Sequence, residues 1–116
     1  MRSIIVSSTL ACALATSALA QDFDNGMAAF QAFDFETAKG EFLPLAEEGD
    51  AQAQFILGYI YFLESRDPAE VERWYRLAAE QGHAEAQYML GLMYMEGGGL
   101  PQDDAEAARW TRLAAE

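Results

Sequence analysis

Positive charge, cysteine and histidine are scarce in this chain. Seven Lys and Arg stand against 19 Asp and Glu over 116 residues, a formal net charge of −12. Such a chain carries no basic field to condense on phosphates, which excludes nucleic acid and anionic membrane surfaces as general partners. With one Cys and one His, none of the zinc-ligand patterns can be assembled, and no calcium-loop spacing of acids appears. A nucleophile–base–orienter set is equally unsupported. Seven Phe, five Tyr and two Trp within a 52% hydrophobic composition supply enough apolar surface for one small folded domain.

The first twenty residues read as a secretory signal peptide. Arg2 provides an early positive charge, Ile4 to Ala15 form an apolar stretch, and Ala18-Leu19-Ala20 before Gln21 has the small-residue form of a cleavage site. The stretch is shorter than the ~20 apolar residues needed to span a bilayer, so no stable membrane insertion is expected after cleavage. Thr9-Leu10-Ala11-Cys12 is a poor lipoprotein box because Thr stands where Leu is usual. Cleavage would remove Cys12 and leave a periplasmic or secreted chain without a thiol. Such a chain must hold together by packing alone, which favours a regular helical array.

The remainder repeats itself. At an offset of 33, Gly49–Tyr61 matches Gly82–Tyr94 at seven of thirteen positions, and at an offset of 36, Asp67–Glu80 matches Asp103–Glu116 at ten of fourteen. The three extra residues fall between Tyr94 and Asp103, in a loop. Periods in the thirties indicate a helical solenoid. Ala53, Leu57 and Tyr61, like Ala86, Leu90 and Tyr94, form an apolar face at helical period on the first helix of each unit. Trp74, Leu77 and Ala78, with Trp110, Leu113 and Ala114, do the same on the second. Gly58 and Gly91 are mid-helix, where glycine costs ~1 kcal/mol against alanine, so close helix contact is expected there. Asp67 with Glu70 and Asp103 with Glu106 have capping-box spacing, Pro68 suits a first helical position, and Gly49 and Gly82 suit left-handed C-terminal caps. A degenerate pair over 21–48 precedes the units 49–81 and 82–116, giving about three helix pairs; Pro44 is expected to kink or shorten its helix.

The motifs A-x-A-x-x-x-L-G-x-x-Y at Ala51–Tyr61 and Ala84–Tyr94, G-G-G-L-P-Q-D-D at Gly97–Asp104, and W-x-R-L-A-A-E from Trp74 and Trp110 resemble the Sel-1-like repeat, a relative of the tetratricopeptide repeat. The second unit lacks the Gly-rich loop, and Val71 stands where the third has Ala107. The resemblance implies an all-α fold, a right-handed superhelix of antiparallel helix pairs, used as a non-catalytic interaction scaffold or adaptor in the bacterial envelope. It implies a protein or peptide partner and no cofactor. The competing reading is an envelope enzyme or a binder of small molecules such as cell-wall fragments, for which the residues offer no reactive constellation.

Individual residues mostly read as structural. His83 occupies the slot of Asp50, at a helix N-terminus, and Asp103, Asp104 and Glu106 complement another. Gly97-Gly98-Gly99 lacks the strand and the Gly-Lys-Ser/Thr ending of a phosphate loop. Glu72 with Arg76 and Glu106 with Arg109 have intrahelical pair spacing. Two features point outward. Phe55, Tyr59 and Phe62, then Tyr88, Leu92 and Met95, lie about 160° from Leu57 and Leu90 at 100° per residue. This second apolar stripe is either core between neighbouring helices or, by analogy with tetratricopeptide arrays, a concave groove for an extended peptide or helix. In addition, Ala114-Ala115-Glu116 follows no polar terminal cap. Trp110 and Leu113 are therefore expected to be partly exposed and available for self-association or docking, unless the coding sequence is a truncated copy.

Overall fold

The computed structural model describes residues 19–64, 67–97 and 99–116, and among these it contains six helices and no strand. Helix α1 covers residues 19–31, α2 Phe35–Glu47, α3 Ala51–Leu63, α4 Pro68–Glu80, α5 Ala84–Glu96 and α6 Asp104–Ala115. Most of the leader, with Cys12, as well as Ser65 and Gly98, lies outside the described residues. Two compact units meet in sequence between Glu41 and Phe42. The repeats occupy the second.

The helices α2 to α6 each begin on a side chain that accepts an otherwise orphaned backbone N–H. Asp50 accepts from Ala53 at 2.9 Å, Asp67 from Ala69 at 3.0 Å, His83 Nδ1 from Ala86 at 3.1 Å and Asp103 from Glu106 at 3.1 Å. In the N-terminal unit Asp34 starts α2 in the same way. It takes the Thr37 hydroxyl at 2.7 Å and the Thr37 N–H, and these bonds hold its carboxyl below the usual range. The capping boxes are only half formed. Glu106 turns instead to the Trp110 indole N–H at 3.1 Å and to Arg109 at 3.5 Å, while Glu70 turns to Arg73 at 3.5 Å. Gly49 (φ +104°) and Gly82 (φ +91°) close α2 and α4 in the left-handed region, and the next residues, Asp50 and His83, donate back to Leu45 and Ala78.

Pro44 does not shorten α2, which has the same 13 residues as α3, α4 and α5. Its ring removes one helical bond, but the ladder resumes at once, with the Glu48 N–H on the Pro44 carbonyl at 3.1 Å, and the end of the helix is tied to α3 by Gln54.

In the second unit consecutive helices pack in opposite directions. Gln54 meets Gln81 and, one turn further along α3, Gly58 meets Tyr75 one turn and a half earlier in α4. A Cβ on Gly58 would lie 2.9 Å from the Tyr75 ring, and one on Gly91 would lie 2.8 Å from Thr111 Cγ2. Both glycines thus mark where the two helices of a repeat touch. Around them Leu57, Ile60, Val71, Tyr75, Ala78, Leu90 and Trp110 are buried. The longer loop of the last repeat folds back onto its predecessor. Gly99 (φ +87°) abuts Pro68 so closely that a Cβ would overlap the Pro68 ring, and Leu100 packs on the shared core.

Repeat is joined to repeat through buried amides. Gln54 Nε2 donates to the Ala46 carbonyl at 3.0 Å, and Gln87 Nε2 makes the equivalent bond to Ala79 at 3.1 Å. Gln81 Nε2 donates to Gly49 and to Gln54 Oε1, both at 2.9 Å. These bonds satisfy the buried Gln54 and Gln87 amides and add a second donor to the Ala46 and Ala79 carbonyls, which also accept the Gly49 and Gly82 N–H groups.

Replacing Gly58 by Ala is expected to destabilise the protein by about 1–3 kcal/mol, because overpacking against Tyr75 outweighs alanine's better helix propensity. Gly40→Ala, in open space, is expected to stabilise it by about 0.5–1 kcal/mol. Urea denaturation of the two variants checks the contrast, and equal effects would contradict the packing described.

Candidate protein-interaction surface

The second apolar stripe lies on α3 and α5, and its six members fall into two groups. Phe55 and Tyr59 are half-buried and pack on the core shared by α4 and α5, and Leu92 is also half-buried. Phe62, Tyr88 and Met95 are exposed, at 50%, 52% and 47% of their surface. Core and surface are therefore both present: each helix roots the stripe at some positions and presents it to solvent at others.

Along α3 the rings form a ladder. Phe55 stacks on Tyr59 at 6.3 Å and Tyr59 on Phe62 at 6.4 Å between centroids, and the His83 ring stacks on Phe55 from the start of α5 at 4.8 Å. His83 Nδ1 accepts the Ala86 N–H, so its ring proton resides on Nε2 and donates to Gln52 Oε1 at 2.7 Å. His83 thus caps α5 and also ties the N-terminal ends of α3 and α5 together. Equivalent residues of the two helices consequently face the same side.

Beneath the ladder Tyr75 stacks on Phe55 at 5.7 Å, and its hydroxyl is buried without a hydrogen-bond partner among the described residues. Burial, with a smaller contribution from nearby Tyr59, pushes the Tyr75 phenol far above its usual range. Behind the stripe, α4 and α5 are joined by a polar network. Arg76 donates to Glu72 Oε1 at 2.6 Å and to the Tyr94 hydroxyl, which donates to Glu72 Oε1 at 3.1 Å. Burial first, and then the Glu72 acceptor, raise the Tyr94 phenol as well. Arg73 lies 4.4 Å over Trp74 and Arg109 4.5 Å over Trp110. Arg73 and Arg109 are thus engaged within their own helices, while Arg76 also reaches α5 through Tyr94.

The expectation for the last helix is corrected by burial. Trp110 is 1% exposed, and Leu113 is 37% exposed, almost the value of Leu77, its counterpart one repeat earlier, at 38%. Trp110 presents no ring to a partner, and the partial exposure of Leu113 belongs to its place in the repeat, as Leu77 shows. The buried glutamines were not singled out from sequence as connectors, although Gln54 and Gln87 are polar identities inside otherwise apolar matching segments. Among the described residues no group of three or more His, Cys, Asp or Glu is placed to hold a metal ion, and no helix is long and apolar enough to cross a membrane.

Helix pairs of 33-residue period, joined end to carbonyl and offering an apolar face without clustered reactive groups, define a helical-repeat protein of the tetratricopeptide-like class. The Sel1 repeat pattern matches residues 51–83 and 84–116, and the chain belongs to the Sel1 repeat family. Its fold is an all-α helical-repeat solenoid of about three helix pairs. A Sel1 repeat protein from Oxalobacter formigenes is 33% identical with a TM-score of 0.65, over 68% of this chain and 63% of its own. A protective antigen present in uropathogenic Escherichia coli strains, displaying an SLR fold, is 46% identical with a TM-score of 0.62, over 66% of this chain and 17% of its own. The chain thus spans less than two thirds of either relative. No curated protein matches it. Sel1 repeats are in general protein-interaction modules and non-catalytic scaffolds.

Tyr75→Phe removes a buried hydroxyl that has no partner, so it is expected to leave stability unchanged or raise it by up to about 1 kcal/mol. In the parent protein the Tyr75 and Tyr94 phenols are raised in the fold, so the stability they contribute is complete below the ordinary phenol range near ~10 and is lost as pH rises above it. Absorbance titration of the phenols with parallel circular dichroism is expected to show the last phenol ionising together with alkaline unfolding. Full phenol ionisation in the folded chain would contradict the burial of Tyr75.

Proposed function

We propose that this chain is an exported, non-catalytic adaptor that binds a protein or peptide partner on the α3–α5 face. The observation that carries the reading is the exposure of Phe62, Tyr88 and Met95 beside the core-packed Phe55 and Tyr59. Three large apolar side chains held in register by repeat geometry make a rigid surface that forfeits little entropy on binding. Matching exposed positions one repeat apart also suit a ligand that runs across several helices.

Export rests on the leader pattern of Met1 to Ala20. The role of the 46%-identical relative as a protective antigen supports the same location. Expressed from its own start, the protein is expected to accumulate outside the cytoplasm with Gln21 as its first residue. Edman sequencing of each fraction checks this, and a cytoplasmic product retaining Met1 would oppose it.

The partner face is tested by comparing exposed with rooted positions. The double variant Tyr88→Ala and Met95→Ala is expected to abolish partner capture in crosslinking pull-downs while shifting the melting temperature by no more than a few degrees. Phe55→Ala, which removes a ring stacked on Tyr75 and His83, is expected to cost about 2–4 kcal/mol. If the exposed pair proves as destabilising as Phe55→Ala and capture survives, the stripe is core and the adaptor reading fails.

A further inference from the structure

We propose that the occupant of the α3–α5 face is a cationic, partly apolar peptide segment, with Lys or Arg side chains set against Glu85 and Glu96 and apolar residues set against Tyr88, Leu92 and Met95. The proposal rests on the partner-face reading above and adds the chemistry of the partner. On α5, Glu85 and Glu96 are both exposed and stand eleven residues apart. At 100° and 1.5 Å per residue they lie within about 20° of each other and about 16 Å apart along the helix. Leu92 falls about 20° from Glu85, Tyr88 about 60° and Met95 about 80° on the same side. Two carboxylates thus form one border of the exposed apolar stripe.

Nothing on these two helices answers a negative ligand. Neither α3 (AQAQFILGYIYFL) nor α5 (AEAQYMLGLMYME) contains a Lys or Arg. Among the described residues the arginines belong to α4 and α6, where Arg73, Arg76 and Arg109 each pair with an acid of their own helix, Glu70, Glu72 and Glu106. An anionic peptide on the stripe would lie beside unpaired carboxylates without a compensating cation. A cationic one would pair with them, place its charge near the exposed Tyr88 ring, and be steered by the chain's net charge of −12. Side chains of an extended segment alternate in direction, so at about 3.3 Å per residue cations six residues apart share one face about 20 Å apart, which the lengths of the Lys and Glu side chains adjust to the two carboxylates.

The test uses the whole chain and three fluorescently labelled peptides: three copies of Lys-Ser-Leu-Ser-Leu-Ser, which puts every Lys and Leu on one face of an extended chain, and the same sequence with Gln or with Glu in place of Lys. Fluorescence polarisation is expected to rank them Lys, Gln, Glu in decreasing affinity, with the Lys peptide weakened by added salt. The double variant Glu85→Gln and Glu96→Gln is expected to weaken the Lys peptide about fivefold and leave the Gln peptide unchanged. Glu47→Gln with Glu80→Gln, exposed acids of α2 and α4, is expected to change neither. Equal loss from that control pair would mean bulk attraction by a −12 chain and overturn the proposal. Binding of the Gln or Glu peptide as tight as that of the Lys peptide, still lost on Tyr88→Ala, would overturn the cationic occupant while sustaining the face. Indifference of all three peptides to Tyr88→Ala with Met95→Ala would overturn the face reading itself.

Discussion

The bond from a glutamine side chain to the last carbonyls of the preceding helix is the interaction on which the arrangement of repeats depends. Gln54 reaches Ala46 and Gln87 reaches Ala79, and both amides are almost wholly buried, at 4% and 6% exposure. A buried amide left without its acceptor would forfeit about 1–3 kcal/mol, so the glutamine is held to one position along the neighbouring helix. Apolar packing alone would tolerate sliding. The glutamine sets the register, and Gly58 and Gly91 set the distance. With register and distance set, the same residue of each repeat is turned toward the same side.

From that regularity comes the surface. His83 replaces Asp50 as the cap of the next first helix, yet its larger ring adds a stack on Phe55 and a bond to Gln52. One substitution thus performs the capping common to the repeats and fastens α3 to α5. The acids are divided in a similar way. On α4 and α6 they pair with arginines that lie over tryptophans, whereas on α5 they border exposed apolar side chains. Arg73, Arg76 and Arg109 thereby answer acids of α4 and α6, while α5 sets two carboxylates beside the stripe with no Lys or Arg on the same helix.

The helical-repeat fold was readable because its signals are local and occur twice. Asp50, Asp67 and Asp103 cap the helices, Gly49 and Gly82 end them, and Gly58 and Gly91 betray a close approach that only a missing Cβ permits. What could not be read was the use of side chains across space. The spacing of Asp103 and Glu106 suggests a reciprocal capping box, but Trp110 presents a buried indole N–H that competes for the same glutamate. Pro44 suggests a break, but α2 runs on to Glu47, where Gln54 of α3 bonds to its last turn. Trp110 suggests an exposed end, but the turn of α6 places it inward as the turn of α4 places Trp74. In each case the way the helices pack outweighs a rule based on spacing alone.

The six-residue stripe shows the same division at the candidate site. A period of 3.6 residues identifies Phe55, Tyr59, Phe62, Tyr88, Leu92 and Met95 as sharing a side of their helices, since the angle between side chains follows from spacing alone. Which of them is covered is a property of the neighbours. Tyr75, arriving from α4 into the space left by Gly58, and His83, arriving from the start of α5, roof Phe55 and bury it in part, whereas no described element does so for Phe62, Tyr88 or Met95. Sequence by itself determined the helices, their ends and their repetition, because these depend on contacts within a few residues. Tertiary structure alone decided which apolar side chains became core and which stayed at the surface, because burial is set by residues distant in the chain.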